Sequence, residues 1–224
     1  MRVVIAGGHG QIAIRLERLL TLRGDEAIGL VRSHEHAADL AGAGATAVVL
    51  DLEYTTADEI AAELHTVDAV VFAAGAGPGS GIPRKDTVDR AGAELLADAA
   101  MQAGVRRYIL ISAMGAGAEP PPDTSEVFAA YLRAKGASED DLRARPLDWT
   151  ILRPGRLTDE WGTGRISLAT SVPRGPVPRD DVAAVLLALL DEPATAGMTL
   201  ELVAGDTPID EAVAAFRNDG TFAP

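Results

Sequence analysis

Val3-Val4-Ile5-Ala6-Gly7-Gly8-His9-Gly10-Gln11-Ile12-Ala13 decides the fold. Four β-favouring or small apolar residues run into a glycine turn, and an amphipathic stretch of helical length follows. The spacing is Gly7-x-x-Gly10-x-x-Ala13. Gly7 permits a tight turn out of a strand, Gly10 lets a pyrophosphate approach bare backbone, and Ala13 lets the helix pack closely on a sheet. The helix start presents unpaired N–H groups and a partial positive charge to an anion. Alone the pattern is weak, and a plain glycine turn is its bland reading. Its place in the first unit of a strand–helix series is the context that gives it weight.

That series runs outward from the turn. Apolar runs recur at Val3–Ala6, Ala27–Val31, Ala47–Leu50, Ala69–Ala74, Tyr108–Ile111 and Trp149–Leu152. They do not alternate with polar residues, as expected of strands buried on both faces. Helices are expected between them at about 11–22, 34–42, 56–64, 86–103 and 125–144. Repeated strand–helix units predict an α/β fold, a doubly wound parallel sheet of Rossmann type. Beyond residue 155 the pattern loosens. Pro154 to Pro178 is rich in Gly and Pro, a helix is expected at Asp180–Leu190 and a strand at Met198–Val203. Thr207-Pro208 reads as a cap with proline in the first helical position. One domain is expected over 1–216, with a small C-terminal extension and a loose tail at 217–224.

Composition narrows function. Lys plus Arg number 20 against 33 Asp plus Glu, a net charge of −13, which argues against nucleic acid and anionic membrane as partners. The absence of cysteine excludes disulfides, thiolate metal sites and a cysteine nucleophile. His34 and His36 flank Glu35, but no third ligand is evident, so an exposed helix start is the simpler reading and no metal is expected. No segment reaches the ~18 apolar residues of a membrane span. The chain starts directly on a strand-like run, so a cytoplasmic protein is the expectation.

The second strand ends Leu30-Val31-Arg32-Ser33, without the carboxylate that NAD-preferring folds place against the ribose 2′-hydroxyl. Arg32 can pair with a 2′-phosphate, and Ser33 can add a hydroxyl, which predicts NADP(H) over NAD(H). The alternative is an arginine at a surface turn. Ligands in such sheets lie beyond the carboxyl ends of the strands. There stand Asp51-Leu52, the small residues Ala73-Ala74-Gly75, Ser112, and Arg153-Pro154-Gly155-Arg156. Tyr131 and Lys135 lie four apart on an expected helix and so share a face. An ammonium beside a phenol lowers its pKa and suits it to proton transfer at a carbonyl or alcohol. Lys135 is one of only two lysines, with Lys85. The bland reading is a surface helix pair.

These strings resemble the short-chain dehydrogenase/reductase superfamily, in particular its atypical branch of epimerase/dehydratase-like, NmrA-like and biliverdin-reductase-B-like proteins. The resemblance covers nearly the whole chain. It is most specific at Asp148-Trp149-Thr150-Ile151-Leu152-Arg153-Pro154-Gly155-Arg156-Leu157-Thr158 and Pro178-Arg179-Asp180-Asp181-Val182-Ala183. It implies that Gly7, Gly10, Gln11 and Ile12 hold the pyrophosphate and Arg32 the 2′-phosphate. Asp51 and Leu52 would contact adenine, Ala73, Ala74 and Gly75 the nicotinamide ribose, and Pro154 and Gly155 the nicotinamide amide. Ser112, Tyr131 and Lys135 would be catalytic: serine polarises a carbonyl, tyrosine transfers the proton, and lysine tunes tyrosine and grips the ribose. Many relatives carry paired serines where this chain has Ser112-Ala113, and an asparagine where it has Asp89.

Two loops, Ala76–Asp86 and Gly115–Thr124, are the expected walls of a substrate pocket. Arg84, Lys85 and Arg156 would draw an acidic substrate to its mouth. Two readings follow. The first is an NADP(H)-dependent oxidoreductase or epimerase/dehydratase-like enzyme acting on a small carbonyl, alcohol, quinone or flavin-like molecule. The second is a non-catalytic NADP(H)-binding redox sensor. The Tyr131–Lys135 spacing favours the enzyme. A monomer or homodimer is expected, with helices 86–103 and 125–144 as the pairing surface.

Overall fold

Along β1 (Arg2–Ala6), Val3 and Ile5 face one side of the sheet while Val4 and Ala6 face the other, and all four are fully buried. Side chains alternate across a strand, so an unbroken apolar run requires cover on both sides. The computed structural model describes residues 1–77 and 79–217. Its elements continue with α1 (Gln11–Arg23), β2 (Glu26–Val31), a 3-10 turn at His34–His36, α2 (Ala37–Gly42), β3 (Thr46–Val49), α3 (Ala57–Glu63) and β4 (Ala69–Phe72). Next come α4 (Ile82–Arg84), a π-helical segment Lys85–Arg90, α5 (Ala91–Ala103), β5 (Arg107–Ile111) and α6 (Glu126–Arg143). The chain then forms β6 (Asp148–Pro154), β7 (Arg156–Thr158), β8 (Arg165–Ala169), β9 (Pro176–Pro178), α7 (Arg179–Leu190), β10 (Met198–Ala204), β11 (Thr207–Pro208) and α8 (Ile209–Ala214).

The main sheet has the order β11-β8-β10-β6-β5-β4-β1-β2-β3. Pairing from β3 through to β10 is parallel, and only β8 runs antiparallel to its neighbours β10 and β11. This is the predicted doubly wound sheet. Leu16 and Leu20 of α1, Val182 and Leu186 of α7 and Val213 of α8 pack on one face. Ile60 of α3, Leu96 of α5 and Leu142 of α6 pack on the other. Burying each such side chain stabilises the fold by roughly 2 kcal/mol.

Three details correct the sequence reading. The Pro154–Pro178 stretch is not loose: it carries β7 and β9, which pair with each other in parallel, and β8, which lies between β10 and β11. Thr207-Pro208 forms an edge strand, with Pro208 the N-cap rather than the first residue of α8. An edge strand tolerates the missing N–H. Helix starts four residues earlier than expected, at Ile82, and widens into the π-helical turn before α5. Of the tail expected at 217–224, Arg217 closes a short 3-10 turn and the rest lies outside the described residues.

Candidate active site

Strand order reverses at β1, which lies between β2 and β4, so a crevice opens where those strands end. The loop after β1 is tied down on both flanks. Gly7 and Gly8 donate their N–H groups to Leu30 O at 3.1 and 3.0 Å. Gly7 has φ +81°, and a Cβ there would stand 2.6 Å from Ala74 Cα. Both conditions require glycine. Gly10 is the N-cap of α1 in extended conformation, with no side-chain cap and no acidic residue in the first turn. The exposed end of α1 thus keeps its donors for an anion, and nothing negative competes. These features fit a dinucleotide pyrophosphate.

Two cavities share Ala73, Ala74 and Gly75 in their linings. The smaller, about 290 Å³, lies on the β2 side and includes Gly7, Gly10, Arg32, Asp51 and Leu52. The larger, about 990 Å³, lies on the β5 side and includes Ile12, Ser112, Tyr131, Lys135, Pro154 and Gly155. The structure therefore brings together all of the sequence-predicted site residues except two. Gln11 and Ser33 line neither cavity; the Gln11 carbonyl accepts from Arg15, and the Ser33 hydroxyl caps the 3-10 turn by accepting from Glu35 N–H.

The smaller cavity also holds His9 and Glu53, which the sequence did not flag, and His36 and Arg84, which it read in other settings. His9 and His36 stack with ring centroids 3.9 Å apart and planes 5° apart. His9 Nε2 lies 2.7 Å from Asp39. The helical turn His34–His36 starts where expected with His34 and Glu35 exposed, and His36 is half-buried against His9. No spacing rule joins residues 9 and 36; they meet because β1 and β2 are neighbours. Arg84 donates to Glu53 at 2.6 Å, and that bond, with one from Thr87, holds the Glu53 carboxyl below the usual carboxylate range. Among the described residues no group of three or more His, Asp or Glu is placed to hold a metal ion.

In the larger cavity Tyr131 lies between the two lysines, with Lys85 Nζ 5.7 Å and Lys135 Nζ 5.9 Å from its ring centroid. Lys135 is buried, donates to Ile111 O at 3.0 Å and stands 3.5 Å from Asp89 Oδ1. Asp89 accepts from Ala76 N–H at 3.1 Å. The expected depression of the Tyr131 pKa is not found. Burial first, and the Asp89 charge second, push the phenol above its ordinary value. Burial likewise lowers the Lys135 ammonium, against the pull of Asp89. The Ser112 hydroxyl donates to Glu139 Oε1 at 2.5 Å, and this fully buried carboxylate also accepts from Arg153 and Arg143. The serine proton therefore points at Glu139. The walls also differ from expectation. Gly77, Gly79 and Ser80 contribute, but Gly115–Thr124 does not; the start of α6 and Arg174-Gly175-Pro176 close that side.

Comparison with known proteins gives one consistent result. Residues 7–193 match the model of a family described as NAD(P)H-binding. An uncharacterised sugar epimerase of Bacillus subtilis, YhfK, is 40% identical over 95% of this chain and 99% of its own length. A Bacillus halodurans structure carrying a provisional NAD-dependent epimerase/dehydratase name is 35% identical, with TM-score 0.88 over 96% of this chain and 99% of that one. The oxidoreductase YlbE of Lactococcus lactis is 27% identical, with TM-score 0.87 over the whole of both chains.

Proposed function

The chain belongs to the NAD(P)H-binding family, and from that premise we propose that it is an NADP(H)-dependent oxidoreductase, or an epimerase or dehydratase working through transient oxidation, that uses Tyr131 as proton donor to a small carbonyl, quinone or flavin-like substrate. The observation that carries this reading is the pair of cavities that meet at Ala73–Gly75, with an uncapped helix start and Arg32 at one and Tyr131, Lys135 and Asp89 in the other. Gly7, Gly10, Gln11 and Ile12 receive the pyrophosphate, in part through backbone N–H groups. Arg32 reads the 2′-phosphate and Ser33 stands beside it. Asp51 and Leu52 border the adenine, Ala73 to Gly75 the second ribose, and Pro154 and Gly155 the nicotinamide. The bound nicotinamide supplies the hydride.

Tyr131 carries the proton that a carbonyl oxygen needs in the reducing direction; burial and Asp89 make it a weaker acid than a free phenol, so the transfer depends on cationic charge beside the phenolate that forms. Lys135, fixed by Ile111 O and Asp89, holds positive charge near the phenol as its proton leaves. Ser112 takes part by turning its hydroxyl from Glu139 to the substrate. The test is NADPH oxidation against a panel of aldehydes, quinones and flavins, with Tyr131→Phe as control. Turnover that falls about a hundredfold or more in Tyr131→Phe supports the assignment; turnover that survives removes it. The engaged Ser112 favours the second reading, a non-catalytic NADP(H)-binding sensor. Its signature is NADPH binding without oxidation of NADPH by any member of the panel.

A further inference from the structure

We infer that the larger cavity takes an organic acid, an apolar molecule bearing a carboxylate, with Arg156 and Arg174 as the residues that select the anion; this rests on the proposed reading of that cavity as the substrate site. The chain has 33 acidic residues against 20 basic ones, so partners for cations are plentiful. Arg84, Arg90, Arg145 and Arg153 have all found one. Among the described residues no carboxylate lies within 4.0 Å of Lys85, Arg156 or Arg174; Arg18, Arg32, Arg107, Arg133 and Arg165 lack one too, but these three converge on the lining of one cavity.

The three are held in different ways. Lys85 is 8% exposed and donates to Gly77 O at 3.0 Å. Arg174 lays its guanidinium over Gly115, where a Cβ would stand 2.9 Å from Nη2. Arg156 is its neighbour across the strand pair, its N–H bonded to Gly175 O at 3.0 Å. The one carboxylate in the lining is Asp89, and Lys135 and Ala76 N–H already engage it. The cavity therefore presents unbalanced positive charge in a strongly negative protein, which focuses anions towards it. Guanidinium groups suit a planar carboxylate. Ile111, Met114, Phe128 and Leu157 supply apolar wall, so the anion must carry an apolar body. Arg84, expected from the sequence to belong to this set, is instead paired with Glu53 at the smaller cavity.

Matched probes decide the matter. 8-Anilinonaphthalene-1-sulfonate and its uncharged parent N-phenyl-1-naphthylamine are titrated by fluorescence into the full chain, alone and saturated with NADP⁺. The proteins are wild type, Arg174→Gln and Arg156→Gln/Arg174→Gln; both arginines are exposed, so the fold has little at stake. The sulfonate should bind at least about tenfold tighter than the neutral probe, and the double variant should lose that advantage, with Arg174→Gln between. Affinity for the neutral probe and for NADP⁺ should stay within about twofold. Equal binding of the two probes, or an unchanged sulfonate affinity in the double variant, overturns the inference. A loss that falls on NADP⁺ instead also overturns it, because the cations then serve the cofactor. If wild type binds no NADP⁺, the proposed function fails, while the titrations without cofactor still decide the anion site.

Discussion

Glu17 shows what a single side chain conceals. It sits in α1, one turn beyond Ala13, where a glutamate reads as a solvent-facing helix residue. The structure buries it completely, and neither carboxylate oxygen has a hydrogen-bond partner among the described residues. Its Oε1 rests against the backbones of Gly8 and Gly29, 2.9 and 2.6 Å from where a Cβ would stand on each. Burial pushes its pKa from 4.5 to about 8. The folded chain thus keeps a proton that the unfolded chain has already released, so stability falls as pH rises from 4.5 to about 8 and the loss is complete above that. Glu17→Gln removes this dependence. Its melting temperature should gain on wild type between pH 6 and pH 9, a gap on the order of a few kcal/mol at the alkaline end. A gap that stays constant with pH would show that Glu17 does not titrate in this way. Residue type and spacing singled out Tyr131 and Lys135, which line one cavity, but not the groups they contact. Asp89 and Glu139 approach from other elements or other turns, and proton positions follow from those contacts.

At the level of elements, legibility follows burial. The six strands read as continuous apolar runs all exist; five are largely buried, so no polar alternation confuses them, and β3, only partly buried at the sheet edge, keeps an apolar run as well. The strands not foreseen, β7, β8, β9 and β11, are short, partly exposed or at the sheet edge, so no apolar pattern marks them. Helix was expected from about 86, but nothing in the sequence marks the π-helical widening at Lys85–Arg90 that carries Lys85 and Asp89 into the cavity. The glycine pair that joins β6 to these strands is testable. A Cβ on Gly155 would meet Gly175 O at 2.1 Å and Val203 Cγ1 at 3.0 Å. Gly155→Ala must push the β6–β7 junction away from the entry to β9 and from β10, and should cost about 1–3 kcal/mol in a urea unfolding series. An unchanged midpoint and slope would mean that the contact yields freely.

For the whole molecule, the site lies where the sheet order reverses, and its place was set once the first glycine turn and the strand–helix series were read together. Net charge, −13 over the chain, gave no hint that one cavity is lined by unpaired cations, because composition averages over the surface. Among the described residues no helix is long and apolar enough to cross a membrane. The family match covers the turn, both cavities and all of α7, and leaves β10, β11 and α8 outside it. All of the functional reading depends on a phosphorylated dinucleotide lying across Ala73–Gly75, with its adenosine end at Arg32. Titration calorimetry of NADPH and NADH into wild type and Arg32→Ala tests this most directly. Saturable NADPH binding below about 100 µM, weakened roughly tenfold or more by Arg32→Ala while NADH is unaffected, is the predicted result. No heat of binding with NADPH at about 1 mM would contradict it.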